Sequence, residues 1–296
     1  MTYSKSLERD GRGKPLHTFP HLALGRDRPL VMGVLNVTPD SFSDGGRFAT
    51  VDAALAQARR MIAAGADLLD IGGESTRPGA QPVAQGVELD RVLPVIAAIR
   101  EISDIPLSID TLKPAVARAA VQAGAAMWND VSGLTASADS LQTAADLGCA
   151  VVIMHMQGTP ATMQDAPRYD DAVADVLAHL AARAQAAILA GVARDKIWLD
   201  PGIGFGKRLE HNLALMAALD RLGAFGFPVL LGVSRKRTIM AIDPTAHDPN
   251  DRLGGSLAMA LCGAAKGVTA LRVHDVRETV QALKVWRALR TEVSVR

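Results

Sequence analysis

Short apolar runs rich in β-branched residues recur along the chain and alternate with longer Ala-rich stretches of helical period. Eight of the short runs read as strands, at 30–37, 67–72, 106–110, 126–131, 150–156, 196–200, 228–233 and 270–274. Their apolar character is nearly continuous. That pattern belongs to strands covered on both faces, as in a parallel sheet. The intervening stretches repeat apolar residues at three- and four-residue steps. Val173, Val176, Leu177, Leu180 and Ala184 make one such stripe, the signature of a helix with a buried face. Further helices are expected over 51–64, 87–102, 114–123, 138–147, 210–222, 251–266 and 276–289. Gly65, Gly124, Gly148, Gly191 and Gly223 stand where a left-handed residue would end a helix. Pro114 stands where a helix begins and a missing N–H costs nothing.

Strands alternating with helices give an α/β fold with a parallel sheet. Eight such units close most economically into a single (β/α)8 TIM barrel. An open doubly wound sheet is the alternative that the count leaves standing. No linker divides the chain, so 30–296 is expected to form one domain and 1–29 a short N-terminal extension.

Composition narrows the function classes. Of 296 residues 49% are hydrophobic and 21% charged, enough for a large core and unlike a disordered chain. A net charge of +1 demands neither nucleic acid nor an anionic membrane surface. Residues 1–29 carry scattered charges without the apolar centre of a signal peptide. No uninterrupted apolar run reaches the ~20 residues of a membrane span, so a cytoplasmic protein is expected. Cys149 and Cys262, each in an apolar setting, read as buried reduced thiols rather than a disulfide or a zinc site.

The polar residues are placed unusually. Strand after strand runs into a group that binds or ionises: Asn36, Glu74, Asp110, Asn129, His155, Asp200, then Ser234, Arg235 and Lys236, and finally Arg272 and His274. Polar groups are costly next to buried strands. In a barrel these ends converge on one mouth, where the fold carries its chemistry. Solvent at strand ends explains any one of them; it explains the set poorly. The long turn-rich segment 36–46 suits a mobile lid. The segment 72–79, with glycines, hydroxyls and Arg77, suits an anion or an aromatic carboxylate. The segment 200–207 resembles a nucleotide loop but is not one: Pro201 stands at the first glycine position of a Walker A motif, and Arg208 replaces its Ser/Thr. Its glycines are expected to let backbone approach a flat ligand beside Asp200. His155 reads better as a satisfied rim histidine than as a general base.

Asp110, Asn129 and Asp200 suit a heterocycle rich in N–H donors, because a carboxylate accepts paired N–H bonds. Lys236 would offset their charge. Arg272 and His274, with Ser234-Arg235-Lys236, suit phosphate oxygens. Asn36 offers a hard oxygen to Mg²⁺, which keeps phosphate and water as its other ligands. The residues therefore describe a planar polar ring bearing a phosphate or diphosphate leaving group.

In this order the segments 36–46, 70–79, 108–110, 129–133, 154–159, 200–207, 234–236 and 272–275 closely resemble those of the dihydropteroate synthase family. The resemblance implies condensation of 6-hydroxymethyl-7,8-dihydropterin diphosphate with 4-aminobenzoate. It implies that Asp110, Asn129, Asp200 and Lys236 bind the pterin and that Asn36 binds Mg²⁺. Thr76, Arg272 and His274 would contact the diphosphate-bearing substrate, and Arg77, Pro78, Phe205 and Ser234 the aminobenzoate. No single general base is implied; Asp110, Lys236, Arg272 and His274 would act electrostatically. A homodimer is also implied. Two alternatives remain: a pterin-dependent methyltransferase of related fold, against which Asn36, Arg272 and His274 count, and a non-catalytic pterin-binding paralogue.

Overall fold

The structure, a computed structural model, describes residues 27–38, 47–76 and 79–293. Most of the N-terminal extension and of the first long loop, together with Arg77 and Pro78, lie outside the described residues.

Eight parallel strands appear in the expected order: β1 (Leu30–Asn36), β2 (Leu68–Gly72), β3 (Leu107–Asp110), β4 (Met127–Asp130), β5 (Ala150–Met154), β6 (Ile197–Asp200), β7 (Leu230–Gly232) and β8 (Ala270–Val273). Each neighbours the next in sequence, and β1 pairs with β8. The sheet closes between β6 and β7 through the parallel bridge Leu199↔Val229 and the bond from Leu199 N to Pro228 O (2.9 Å). This closure makes a (β/α)8 barrel and removes the open-sheet alternative. β7 is shorter than expected because Pro228 has no N–H to donate and Val229 reaches β6 only through the one bridge.

The helices are α1 (Arg47–Ala63), α2 (Gln85–Ile102), α3 (Pro114–Gln122), α4 (Ser140–Leu147), α5 (Ala172–Leu189), α6 (Leu209–Ala217), α7 (Leu219–Gly223), α8 (Arg237–Ile242), α9 (Leu253–Ala265) and α10 (Val276–Val293). The single helix expected over 210–222 is broken at Ala218 into α6 and α7. The short α8 falls between the expected strand 228–233 and the expected helix 251–266, where the sequence analysis assigns no helix. Gly65, Gly124, Gly148 and Gly191 take positive φ as expected, whereas Gly223 lies inside α7 and Gly226 makes that left-handed turn instead. Helix α5 starts on Asp171, whose Oδ1 accepts from Val173 N (2.9 Å) and Ala174 N (3.0 Å). By length and composition α5 would pass for a membrane span. Here its stripe of Val173, Val176, Leu180 and Ala184 is buried in the core.

Strand alternation sorts the core into two shells. One shell lies between sheet and helices and includes Leu35, Ile71, Ile109, Trp128, Ile153, Leu199 and Leu231. The other fills the barrel, with Leu30, Met32, Leu68, Met127, Val152, Trp198, Leu230 and Ala270. Along the inner face of β2, β4 and β6 the sequence passes from Leu68, Met127 and Trp198 to Asp70, Asn129 and Asp200. An apolar floor thus carries a polar layer. Both cysteines are free. Cys149 is half-buried and its thiol is pushed up to about 11, chiefly by burial. Cys262 is exposed, contrary to expectation: Ala260 and Ala264 face inward and leave it on the outer side of α9.

Trp198 is fully buried in the floor. Trp198→Ala should lower stability by about 3–5 kcal/mol, read as a shifted urea midpoint. A shift equivalent to less than about 1 kcal/mol would show that the floor is not tightly packed.

Candidate active site

The polar layer is organised by Arg272, carried inward on β8. Its Nε donates to Asp70 Oδ2 (2.6 Å) and its Nη2 to Asp110 Oδ2 (2.7 Å). Asn129 Nδ2 also donates to Asp70 Oδ2 (3.1 Å). Four strands, β2, β3, β4 and β8, are therefore joined through one guanidinium. The two carboxylates raise the tendency of Arg272 to stay charged, although burial opposes it. Burial pushes the Asp110 carboxyl up to about 7, with Arg272 opposing and Asp70 adding to the rise. Among the described residues Asp110 Oδ1 and Asp70 Oδ1 are buried without hydrogen-bond partners. A buried acceptor without a donor is costly, so both oxygens call for N–H groups from outside the protein.

Opposite this bridge, Asp200 ends β6. Its Oδ1 accepts from Gly202 N (2.7 Å). Burial raises its pKa against the pull of that N–H and of Lys236 and Lys207. Lys236 is pushed down to about 8 by burial, opposed by Asp200. Its Nζ lies 4.1 Å from the centroid of the Phe205 ring, within the range of a cation–π contact. Ser234 and His274 form a pair at the ends of β7 and β8. The Ser234 hydroxyl accepts from His274 N (3.1 Å) and lies 3.1 Å from His274 Nδ1. Asn36, half-buried at the end of β1, has its Oδ1 beside Gly72; a Cβ added to Gly72 would lie 3.6 Å from that oxygen. Thr76 is half-buried in the segment after β2. The structure therefore gathers Asp110, Asn129 and Arg272 into one network, puts Lys236 near Asp200 and over the Phe205 ring, and joins Ser234 to His274.

Several sequence expectations need correction. Arg235 is not a phosphate fork. It sits at φ 59° and makes a corner, its N–H on Ser256 Oγ (2.8 Å) and its carbonyl accepting from Arg252 Nη1 (3.0 Å). Its guanidinium is taken by Asp275 (2.5 and 3.0 Å) and Asn250 (2.8 Å). A strained corner is held by its neighbours, and this one carries Ser234 and Lys236 on either side. Glu74 pairs with Lys113 and accepts from Val83 N (3.2 Å), while Lys113 also pairs with buried Glu88 (2.6 Å). Glu74 anchors its segment to α2 and the end of β3. In the glycine-rich segment 202–207 the carbonyls of Gly202 and Phe205 are taken by Lys207, inside the protein. His155, by contrast, is the satisfied histidine that the sequence suggests: it is buried beside Lys207 and held neutral, pushed down to about 3 first by burial and then by Lys207 and His179.

Asp70 was missed in the sequence. Strand ends drew attention, whereas Asp70 stands two residues before the end of β2. The signal was present: an aspartate inside an otherwise apolar buried strand, on the same face as the strand's last residue.

The pterin binding enzyme family matches the chain over residues 32–274. The chain belongs to the pterin-binding enzyme family and, within it, to the dihydropteroate synthases. The dihydropteroate synthase of Escherichia coli (strain K12) is 46% identical over 266 residues, 90% of this chain and 93% of that protein. Among solved structures, Xanthomonas albilineans dihydropteroate synthase with 4-aminobenzoic acid superposes with a TM-score of 0.84 at 52% identity, covering 89% of this chain and 94% of that one. The same organism's enzyme in complex with 7,8-dihydropteroate gives 0.80 at 48% identity with the same coverage. The chain is a transferase that forms dihydropteroate.

The raised pKa of Asp110 has a definite sign. Below about 7 the free protein holds this carboxyl protonated, and a protonated carboxyl is a poorer acceptor for two N–H groups. Affinity for a bare pterin should therefore fall by roughly tenfold in all on going from pH 8 to pH 6. Calorimetric titration at several pH values checks it; an affinity that rises toward acid would refute the assignment of Asp110.

Proposed function

We propose that this site condenses 6-hydroxymethyl-7,8-dihydropterin diphosphate with 4-aminobenzoate, giving 7,8-dihydropteroate and pyrophosphate. The observation that carries the assignment of the site is the pair of buried, partnerless carboxylate oxygens on Asp70 and Asp110, held by Arg272 over an apolar floor. Asp110, Asn129, Asp200 and Lys236 are assigned to the pterin. Thr76, Arg272 and His274 are assigned to the diphosphate-bearing substrate, and Arg77, Pro78, Phe205 and Ser234 to the aminobenzoate. The X. albilineans enzyme, solved with 4-aminobenzoic acid and with 7,8-dihydropteroate, supports the two kinds of ligand; the division of residues between them follows from their chemistry and the family resemblance.

Among the described residues no cluster of three His, Cys, Asp or Glu side chains forms a metal cage. Mg²⁺ does not require one, since it takes one or two protein oxygens and completes its shell with phosphate and water. Asn36 fits that role with its Oδ1. When bound, Mg²⁺ would neutralise the leaving diphosphate.

In the reaction the C–O bond breaks and its electron pair leaves on pyrophosphate. Positive charge then develops on a methylene conjugated with the pterin. Asp70, Asp110 and Asp200 favour that charge electrostatically, while Arg272 and His274 attract the departing anion. The aniline nitrogen forms the new C–N bond and loses a proton. That nitrogen is nucleophilic when neutral, so no strong general base is needed. The neutral, buried His155 accords with this scheme. We assign the chain, with 30–296 as its catalytic unit, to a cytoplasmic homodimer; sedimentation of the purified protein tests the dimer.

Pyrophosphate release should require both organic substrates and Mg²⁺. Release that is indifferent to 4-aminobenzoate would sink the proposed reaction. Lys236→Ala and Asp200→Asn should each weaken pterin binding by roughly tenfold or more, measured by calorimetry, and unchanged affinity would remove them from the pterin site. Arg272→Ala should weaken the diphosphate substrate more than a bare pterin. Equal losses for both ligands would make Arg272 a holder of carboxylates alone.

A further inference from the structure

The loop after β6 is wrapped around a cation of its own. Lys207 is only 3% exposed. Its Nζ donates to the carbonyls of Gly202 (2.9 Å), Phe205 (3.0 Å) and His155 (3.1 Å), and lies 2.9 Å from His155 Nδ1. Burial pushes Lys207 down to about 7, opposed by Asp200, and the three carbonyls match the three N–H bonds of its charged form. This inverts the phosphate loop that the sequence brought to mind: carbonyls surround an ammonium, where a phosphate loop places N–H groups around an anion.

The backbone is shaped for this cage. Gly202, Gly204 and Gly206 have φ of 67°, 83° and 60°. A Cβ on Gly202 would fall 2.0 Å from His155 O, and one on Gly206 2.5 Å from Gln157 O. The β6 loop thus lies directly on the β5 loop. Further bonds fasten it: Gly204 N to Asn212 Oδ1 (2.8 Å), Gln164 Nε2 to Gly204 O (2.8 Å) and Tyr169 Oη to Gly206 O (2.7 Å). Phe205 leaves this plate on the side of Lys236, and Gly202 supplies the N–H that fixes Asp200.

We infer that Lys207 is a positioning residue for the condensation: its caged ammonium fixes the loop that sets the Phe205 ring against Lys236 and the Gly202 N–H on Asp200. The inference rests on the reading of Phe205 as part of the aminobenzoate site. Lys207 touches neither substrate in this scheme. It acts through two residues that do.

Lys207→Met keeps the stem and removes the charge. It should raise the KM for 4-aminobenzoate by roughly tenfold, with a smaller change in kcat. A merely structural role predicts a different result, fewer active molecules and an unchanged KM. Phe205→Ala, assayed alongside, should raise the same KM. If Phe205→Ala raises it and Lys207→Met does not, the inference is overturned. If Phe205→Ala leaves it unchanged, the aminobenzoate reading fails, and the role of the cage with it. A second arm does not depend on methionine fitting the cage: Lys207→Ala with added ethylammonium. The small cation should restore the aminobenzoate KM toward that of the native enzyme, while tetramethylammonium should not. Equal KM values with and without ethylammonium would overturn the inference.

Discussion

The bridge Asp70–Arg272–Asp110 is the interaction on which the site depends. Two carboxylates on adjacent strands, both buried, would repel one another if left alone. The guanidinium from β8 lies between them and donates one N–H to each. Removing one partner of such a buried network leaves an uncompensated charge, at a cost of about 3–5 kcal/mol. The arrangement is tolerable because the fold is closed. β1, between β2 and β8, puts the arginine across the barrel interior from neither side of an open edge but from within one ring. Each carboxylate keeps one oxygen uncommitted, and those oxygens give the cavity its appetite for N–H donors.

Around the bridge the protein divides its cations by purpose. Arg272 holds carboxylates together. Lys236 faces Asp200 and an aromatic ring. Lys207 fills a cage of backbone carbonyls, and Arg235 fastens a corner to Asp275. These groups sit close together in sequence patterns that look alike, yet only some of them face the mouth. The polar layer stands on the apolar floor of Met32, Leu68, Met127, Trp198 and Leu230, which excludes water from below and strengthens the electrostatic interactions above it.

Much of this is legible in the amino-acid sequence. Continuous apolar runs marked each strand to within a residue or two at its ends. Asp110, Asn129, Asp200, Ser234, Lys236 and Arg272 stood out because buried strands rarely run into such groups. Asp70 escaped because attention fell on strand ends, although the two-residue alternation of β2 put it on the inward face. Arg235 misled for the opposite reason. Its residue type suits phosphate, but a left-handed backbone turns the side chain toward Asp275, and no residue pattern announces φ at a non-glycine position. The break at Ala218 and the exposure of Cys262 likewise follow from local packing, not from composition.

The amino-acid sequence by itself determined the alternation of strands and helices, the inward polar layer and the family to which the chain belongs. Those depend on residue type and on periods of two and 3.6, which are local properties. Tertiary structure alone decided closure of the barrel and the choice of partner for each charge. Arg272 meets Asp70 across 202 positions and Asp110 across 162, while Lys207 reaches His155 across 52. Such pairings are set by strand order and register, because a side chain finds its partner only after the ring of strands has brought distant segments face to face.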